Sequence, residues 1–138
     1  MTETLLSVRD LKVSYQVGKG SIDAVDGASF DVPRGSIVGL VGESGCGKTT
    51  VARALTRVIA DNASITGGQI LFDGQDIAAL PEREMNALRW RDIAFIPQSA
   101  MNSLDPVYTV EYQLNEVLRR RGGLGRRQAR ARCEELFE

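Results

Sequence analysis

The sequence predicts an α/β fold, and three observations carry that prediction. Residues 5–15, "LLSVRDLKVSY", and 21–32, "SIDAVDGASFDV", set apolar and polar residues at near-alternating positions, the period of half-buried strands. "SIVGLV" (36–41) is a short, continuously apolar run, the kind buried on both faces of a parallel sheet. Behind a glycine-rich loop, Val51, Ala52, Leu55, Val58 and Ile59 recur at helical spacing. Strands interleaved with helices make an α/β chain.

Taken in order, each element has a local reason. Gly18, Gly20 and Ser21 supply a turn, so the first two strands form an antiparallel hairpin. Pro33 and Gly35 punctuate the chain before the apolar run. The helix after the glycine loop is expected to end at Asp61-Asn62. "GGQILFDGQDI" reads as a strand that turns at Asp73-Gly74. Pro81 with Glu82 and Glu84 opens a short helix, because proline suits a first helical turn and acids suit its positive end. "DIAFIPQ" is a further apolar strand, broken at Pro97. From about Thr109 the pattern is helical. It ends with a stretch from Arg126 carrying Ala129, Cys133, Leu136 and Phe137 on one side, with no stop signal before Glu138. There is no internal repeat and no low-complexity linker.

At 138 residues, 43% hydrophobic and 25% charged, the chain is one ordinary globular domain's worth. A net charge of −1 gives no global field toward nucleic acid or an anionic membrane. Seven arginines do cluster between Arg119 and Arg132. They lack the interleaved aromatics that stack on single-stranded bases, so a solvated helix surface is the better reading and no nucleic-acid partner is expected. Cys46 and Cys133 form no Cys-x-x-Cys pair, and neither a structural zinc nor a disulfide framework is expected. The start "MTETLLSVRD" has no secretory pattern, and no apolar run approaches a membrane span. A cytoplasmic chain follows, peripheral to a membrane only through a partner.

The loudest signal is "GLVGESGCGKTT". Gly42, Gly47, Lys48 and Thr49 meet the pattern Gly-x4-Gly-Lys-[Ser/Thr]. Its glycines let the backbone of Gly42, Glu43, Ser44, Gly45, Cys46 and Gly47 turn so that successive N–H groups point inward, an anion nest at a helix N-terminus. Lys48 can reach β- and γ-phosphates as a point charge. The Thr49 hydroxyl suits Mg²⁺, and Thr50 suits an α-phosphate. A glycine turn that binds nothing is the bland alternative. It is weakened by the flanking strand and helix, and by a chain with only three lysines placing one here. Cys46 reads as a small packing residue rather than a redox centre, though its place near a helix N-terminus leaves it open to alkylation.

Four stretches together, "VSY" ending at Tyr15, "AVDGASFDVPRGSIVGLVGESGCGKTT", "GGQILFDGQDI" and "FIPQSAMNSLDPVYTV", are specific. Through them the chain resembles the N-terminal part of an ABC transporter ATP-binding subunit, most closely those of peptide and nickel importers. The resemblance implies a P-loop NTPase (RecA-like) core over residues 36–98. It also implies an antiparallel β-subdomain over residues 1–35 and the start of a helical subdomain over 99–138. Tyr15 then matches the aromatic that stacks on adenine, a task any π-face can perform. Gln98 matches the glutamine that coordinates Mg²⁺, positions water and reports nucleotide state. The segment Ser99 to Val110, with apolar Met101, Leu104, Val107 and Tyr108, matches the region that docks on a permease. Core packing would explain those side chains equally well. The implied ligands are ATP and Mg²⁺. The implied partners are transmembrane permease subunits, a second ATPase subunit and, indirectly, a substrate-binding protein, which would place the chain on the inner face of the cell membrane.

Hydrolysis needs an acid ending an apolar strand and a group that orients water. The family supplies a Leu-Ser-Gly-Gly loop, a strand ending in Asp-Glu and a switch histidine; this sequence has no histidine and no Ser-Gly-Gly. "QILFD" ends in an acid, but Gly74 follows Asp73 at once and makes it a hairpin. The reading that follows is the front part of a longer, truncated subunit, its sheet short of a strand, with marginal stability or self-association and turnover near nil. Two other readings stay open: an ABC-type ATPase outside transport, or a nucleotide-binding module without turnover of its own. A kinase or GTPase fits less well, since no Asn-Lys-x-Asp pattern is present.

Overall fold

The computed structural model describes residues 3–89 and 91–137. The chain divides into two compact units, Met1–Asn86 and Ala87–Glu138.

In the first unit the expected hairpin forms from β1 (Thr4–Val17) and β2 (Gly20–Pro33), paired antiparallel from Thr4↔Pro33 to Val17↔Gly20. β3 (Ala63–Phe72) lies antiparallel on the other side of β1, and the two-residue β4 (Gln75–Asp76) closes the order β2-β1-β3-β4. The Asp73-Gly74 turn is the hairpin the sequence indicated, with both residues at positive φ. That geometry matches strand twist in a two-residue turn. Val8, Leu11, Val13, Val25, Ile70, Ile77 and Met85 are buried, joined by Val51 and Ala54 of α1 (Lys48–Leu55).

Alternation along β1 breaks where Asp10 sits at φ 46, and the register against β3 shifts between Arg9 and Lys12. Gly68 faces this bulge at φ 83, and a Cβ there would run into the carbonyls of Arg9 and Asp10. Only glycine lets the two backbones approach so closely.

Three expectations in this unit need correction or refinement. Residues 36–41 form no strand, and Ile37, Val38, Leu40 and Val41 are exposed. A strand apolar on both faces is buried only when neighbours cover both, and the β1–β4 sheet is wholly antiparallel and does not include this run. β3 starts at Ala63, earlier than the glycine pair suggested. The helix stops at Leu55, well before Asp61-Asn62. Its end is a Schellman motif: Arg57 at φ 52 donates its N–H to the Ala54 carbonyl (3.0 Å), and Val58 donates to Arg53 (3.0 Å). The usual glycine is absent, which hid the stop. The Arg57 guanidinium instead bonds the carbonyls of Leu80 and Ile77 and lies 3.7 Å from Glu82. Replacing Arg57 by alanine should therefore cost about 1–3 kcal/mol, by orphaning those carbonyls while keeping the left-handed strain. Arg57→Gly relieves the strain and should cost about 1 kcal/mol less. Urea unfolding of both variants checks the order; equal midpoints would show that the strain is absent.

The second unit is helical. Short α2 (Glu82–Leu88), begun by Pro81 as expected, spans the boundary between the units. The "DIAFIPQ" segment forms no strand. Among the described residues Ile93 makes an isolated bridge with Arg89, and Ile96 is 83% exposed. A 3-10 turn (Ala100–Ser103) precedes α3 (Val110–Arg120), whose N-cap Thr109 accepts the Tyr112 N–H. α3 packs on α4 (Arg126–Glu135), burying Ala129 and Cys133, whose thiol donates to Asn115 Oδ1 at 3.7 Å. Leu136 and Phe137, expected on the same side of the helix, lie past the end of α4 and are exposed. The Gln113 amide locks the preceding loop: it accepts from the Asp105 N–H (2.9 Å) and donates to the carbonyls of Asp105 (2.9 Å) and Tyr108 (3.1 Å). Tyr108 stacks on Tyr112 with ring centroids 5.0 Å apart, both rings exposed. Leu104 and Val107 are exposed too, and the Met101 side chain lies outside the described residues. Among the described residues no helix is long and apolar enough to cross a membrane.

Candidate functional site

The glycine loop leads into α1 through Gly47, the residue capping the helix start at φ 90, ψ 2. A Cβ at this position would strike the Ala24 carbonyl of β2, so the loop's end approaches the sheet too closely for any side chain. Gly47 has no side chain to cap the helix, and the first N–H groups of α1 are left without a side-chain partner. An anion at that end would be stabilised by those donors and by the helix dipole.

Lys48, first residue of α1, folds back over the loop. Its Nζ donates to the carbonyls of Gly42 (2.8 Å) and Glu43 (2.5 Å) and lies 3.6 Å from Cys46 Sγ. The ammonium is thus held against the loop's own carbonyls, with no acidic partner among the described residues. Cys46 is exposed, and so are Glu43, Ser44, Gly45 and Thr49. Thr50, one position further, is half-buried, and its Oγ1 lies 3.5 Å from the Tyr15 hydroxyl. Tyr15 stands near the end of β1, with its backbone paired to Ile22 on one side and Ala63 on the other.

The fold therefore brings Tyr15, Gly42, Gly47, Lys48 and Thr50 together in one unit. Gln98 belongs to the second unit, exposed in the turn after Pro97. The loop residues named from the sequence lead into α1 as expected, but sequence reasoning missed the contact of Tyr15 with Thr50. It had no means of finding it, since the two are separated by 35 positions and meet only through the sheet.

The family model described as ABC transporter matches residues 25–138. The chain belongs to the ABC transporter family. Among curated proteins, the Peptidoglycan transport ATP-binding protein YejF of Agrobacterium fabrum is 44% identical over 99% of this chain and 25% of its own length. A Dipeptide transport ATP-binding protein DppD of Bacillus subtilis is 39% identical over 93% of this chain and 38% of its own. A putative peptide import ATP-binding protein of Brucella ovis is 47% identical over 88% and 37%. The chain thus spans between a quarter and two fifths of these relatives. Among solved structures, a dimeric ATP-binding cassette in a post-hydrolysis state, bound to ADP and Pi, superposes with a TM-score of 0.79 at 22% identity. It covers 94% of this chain and 54% of that one, so the α/β fold seen here is part of an ABC cassette.

Proposed function

We propose that this chain carries the nucleotide-binding part of an ATP-hydrolysing subunit that energises an ABC importer of peptides. The observation that carries the reading is the Lys48 ammonium, held over a glycine loop at an uncapped helix start. That arrangement suits the triphosphate of ATP: backbone N–H groups from Gly42 to Gly47 cradle it, Lys48 offers a mobile charge, and Thr50 meets the α-phosphate. Tyr15 takes the adenine. Mg²⁺ prefers oxygen ligands, and the Thr49 hydroxyl would supply one; for Gln98 the family resemblance supports the separate proposal of an Mg²⁺-binding and water-orienting role. When bound, the ion neutralises charge on the phosphates.

Residues 36–98 are proposed as the core of this cassette, 1–35 as its antiparallel β-subdomain, joined by β3 and β4, and 99–138 as the start of a helical subdomain. Peptide as the transported class follows from the dipeptide and peptide import names of the relatives. Permease subunits, a second ATPase subunit and an associated substrate-binding protein are the proposed partners, with the chain on the cytoplasmic face of the membrane.

Calorimetry with Mg-ATP and a phosphate-release assay, run with Lys48→Ala alongside, test the reading. Losing charge-assisted bonds to phosphate should weaken binding roughly 10- to 100-fold. Phosphate release by this chain should be near nil, because its sequence holds no histidine and no Leu-Ser-Gly-Gly loop. Equal affinity in both proteins would remove the cradle from consideration.

A further inference from the structure

Tyr15 and Thr50 are 35 positions apart, yet their hydroxyls lie 3.5 Å from one another, either able to donate. The contact joins two rigid parts. Tyr15 is held in the ladder from both sides by β2 and β3, which leaves its side-chain torsions as its main freedom. Thr50 lies in the first turn of α1, where the Val51 N–H already bonds the Gly47 carbonyl at 2.9 Å. At 3.5 Å the separation is longer than the roughly 2.5–3.0 Å of a strong O–H···O bond, so the direct contact is a weak one.

A hydroxyl has one proton to donate and two lone pairs to accept with. If Thr50 donates to Tyr15, it has no proton left for an anion. If Tyr15 donates to Thr50, the Thr50 proton is free for a phosphate oxygen, and the two bonds in series polarise one another. An anion beside Thr50 selects the second direction.

We propose that the Tyr15 hydroxyl, acting through Thr50, is a positioning group for the α-phosphate, so that the base and phosphate subsites are coupled by a two-hydroxyl chain. This rests on the nucleotide reading above. Tyr15 thereby has two separable duties: the ring for the base, the hydroxyl for the phosphate.

The test is a double-mutant cycle on the full chain, reading dissociation constants by calorimetry for Mg-ATP and for Mg-tripolyphosphate, which has no base. Tyr15→Phe keeps the ring and removes only the hydroxyl. It should weaken both ligands roughly three- to tenfold, the effect of one intramolecular hydrogen bond. In a Thr50→Val background the same change should do nothing further, while Thr50→Ser should restore its effect and guard against a folding artefact in the valine variant. Unchanged tripolyphosphate binding in Tyr15→Phe, or full additivity with Thr50→Val, would overturn the coupling while Lys48-dependent binding of ATP left the nucleotide reading intact. Absence of ATP binding in the unaltered chain would overturn both.

Discussion

Gly47→Ala should unfold the first unit's glycine loop from its sheet and lower stability by about 3 kcal/mol, with nucleotide binding lost alongside. Two independent terms add. At φ 90 an alanine sits in left-handed backbone space, a cost of about 1–2 kcal/mol. The new Cβ also meets the Ala24 carbonyl and comes 3.4 Å from Val25 Cγ2, and overpacking of this kind costs about 1–3 kcal/mol. Neither term can relax alone. Rotating φ back to negative values moves Lys48 and the start of α1, while shifting Ala24 pulls β2 against its pairing with β1. A domain whose total stability is about 5–15 kcal/mol would lose a large fraction of it. Chemical denaturation of the two proteins, with Mg-ATP titrations, decides the matter. A midpoint shift worth less than about 0.5 kcal/mol would mean that the loop lifts off the sheet freely.

Legibility in the sequence varied with the range of the interactions involved. The hairpin of β1 and β2, the Asp73-Gly74 turn and α2 were legible because their signals are local: alternation, a two-residue turn and a proline at a helix start. The glycine loop was legible because its chemistry demands particular residues at fixed spacing. Two failures concern the segments 36–41 and 92–98, where a continuous apolar run predicts a strand only if other strands arrive beside it. Apolar content states what a segment can bury in; it does not supply the partner. The early stop of α1 was hidden because Arg57, rather than glycine, occupies the left-handed position, repaid by bonds to Leu80 and Ile77 that join distant parts of the chain. Leu136 and Phe137 continued the helical period on paper, whereas α4 ends at Glu135 before they can face anything.

The same apolar run leads to the other large effect, self-association. Ile37 is 102% exposed and Val41 91%, with Val38 and Leu40 half-exposed between them. Fully burying an aliphatic side chain of this size is worth about 1.5–3 kcal/mol, so covering Ile37 and Val41 alone yields roughly 3–6 kcal/mol. A segment outside the described sheet also presents N–H and C=O groups that a second copy can satisfy by forming a ladder. Both terms favour association as concentration rises. Sedimentation velocity across a hundredfold concentration range should show the unaltered chain shifting to larger species. Ile37→Lys combined with Val41→Lys should hold it as a monomer, because pairing would then desolvate two charges. These substitutions lie outside the loop that begins at Gly42, so loss of association with Lys48-dependent nucleotide binding retained would locate the effect in the apolar segment. An unaltered chain that stays monomeric at every concentration would show that this apolar segment is compatible with solvent, and the edge argument would fail.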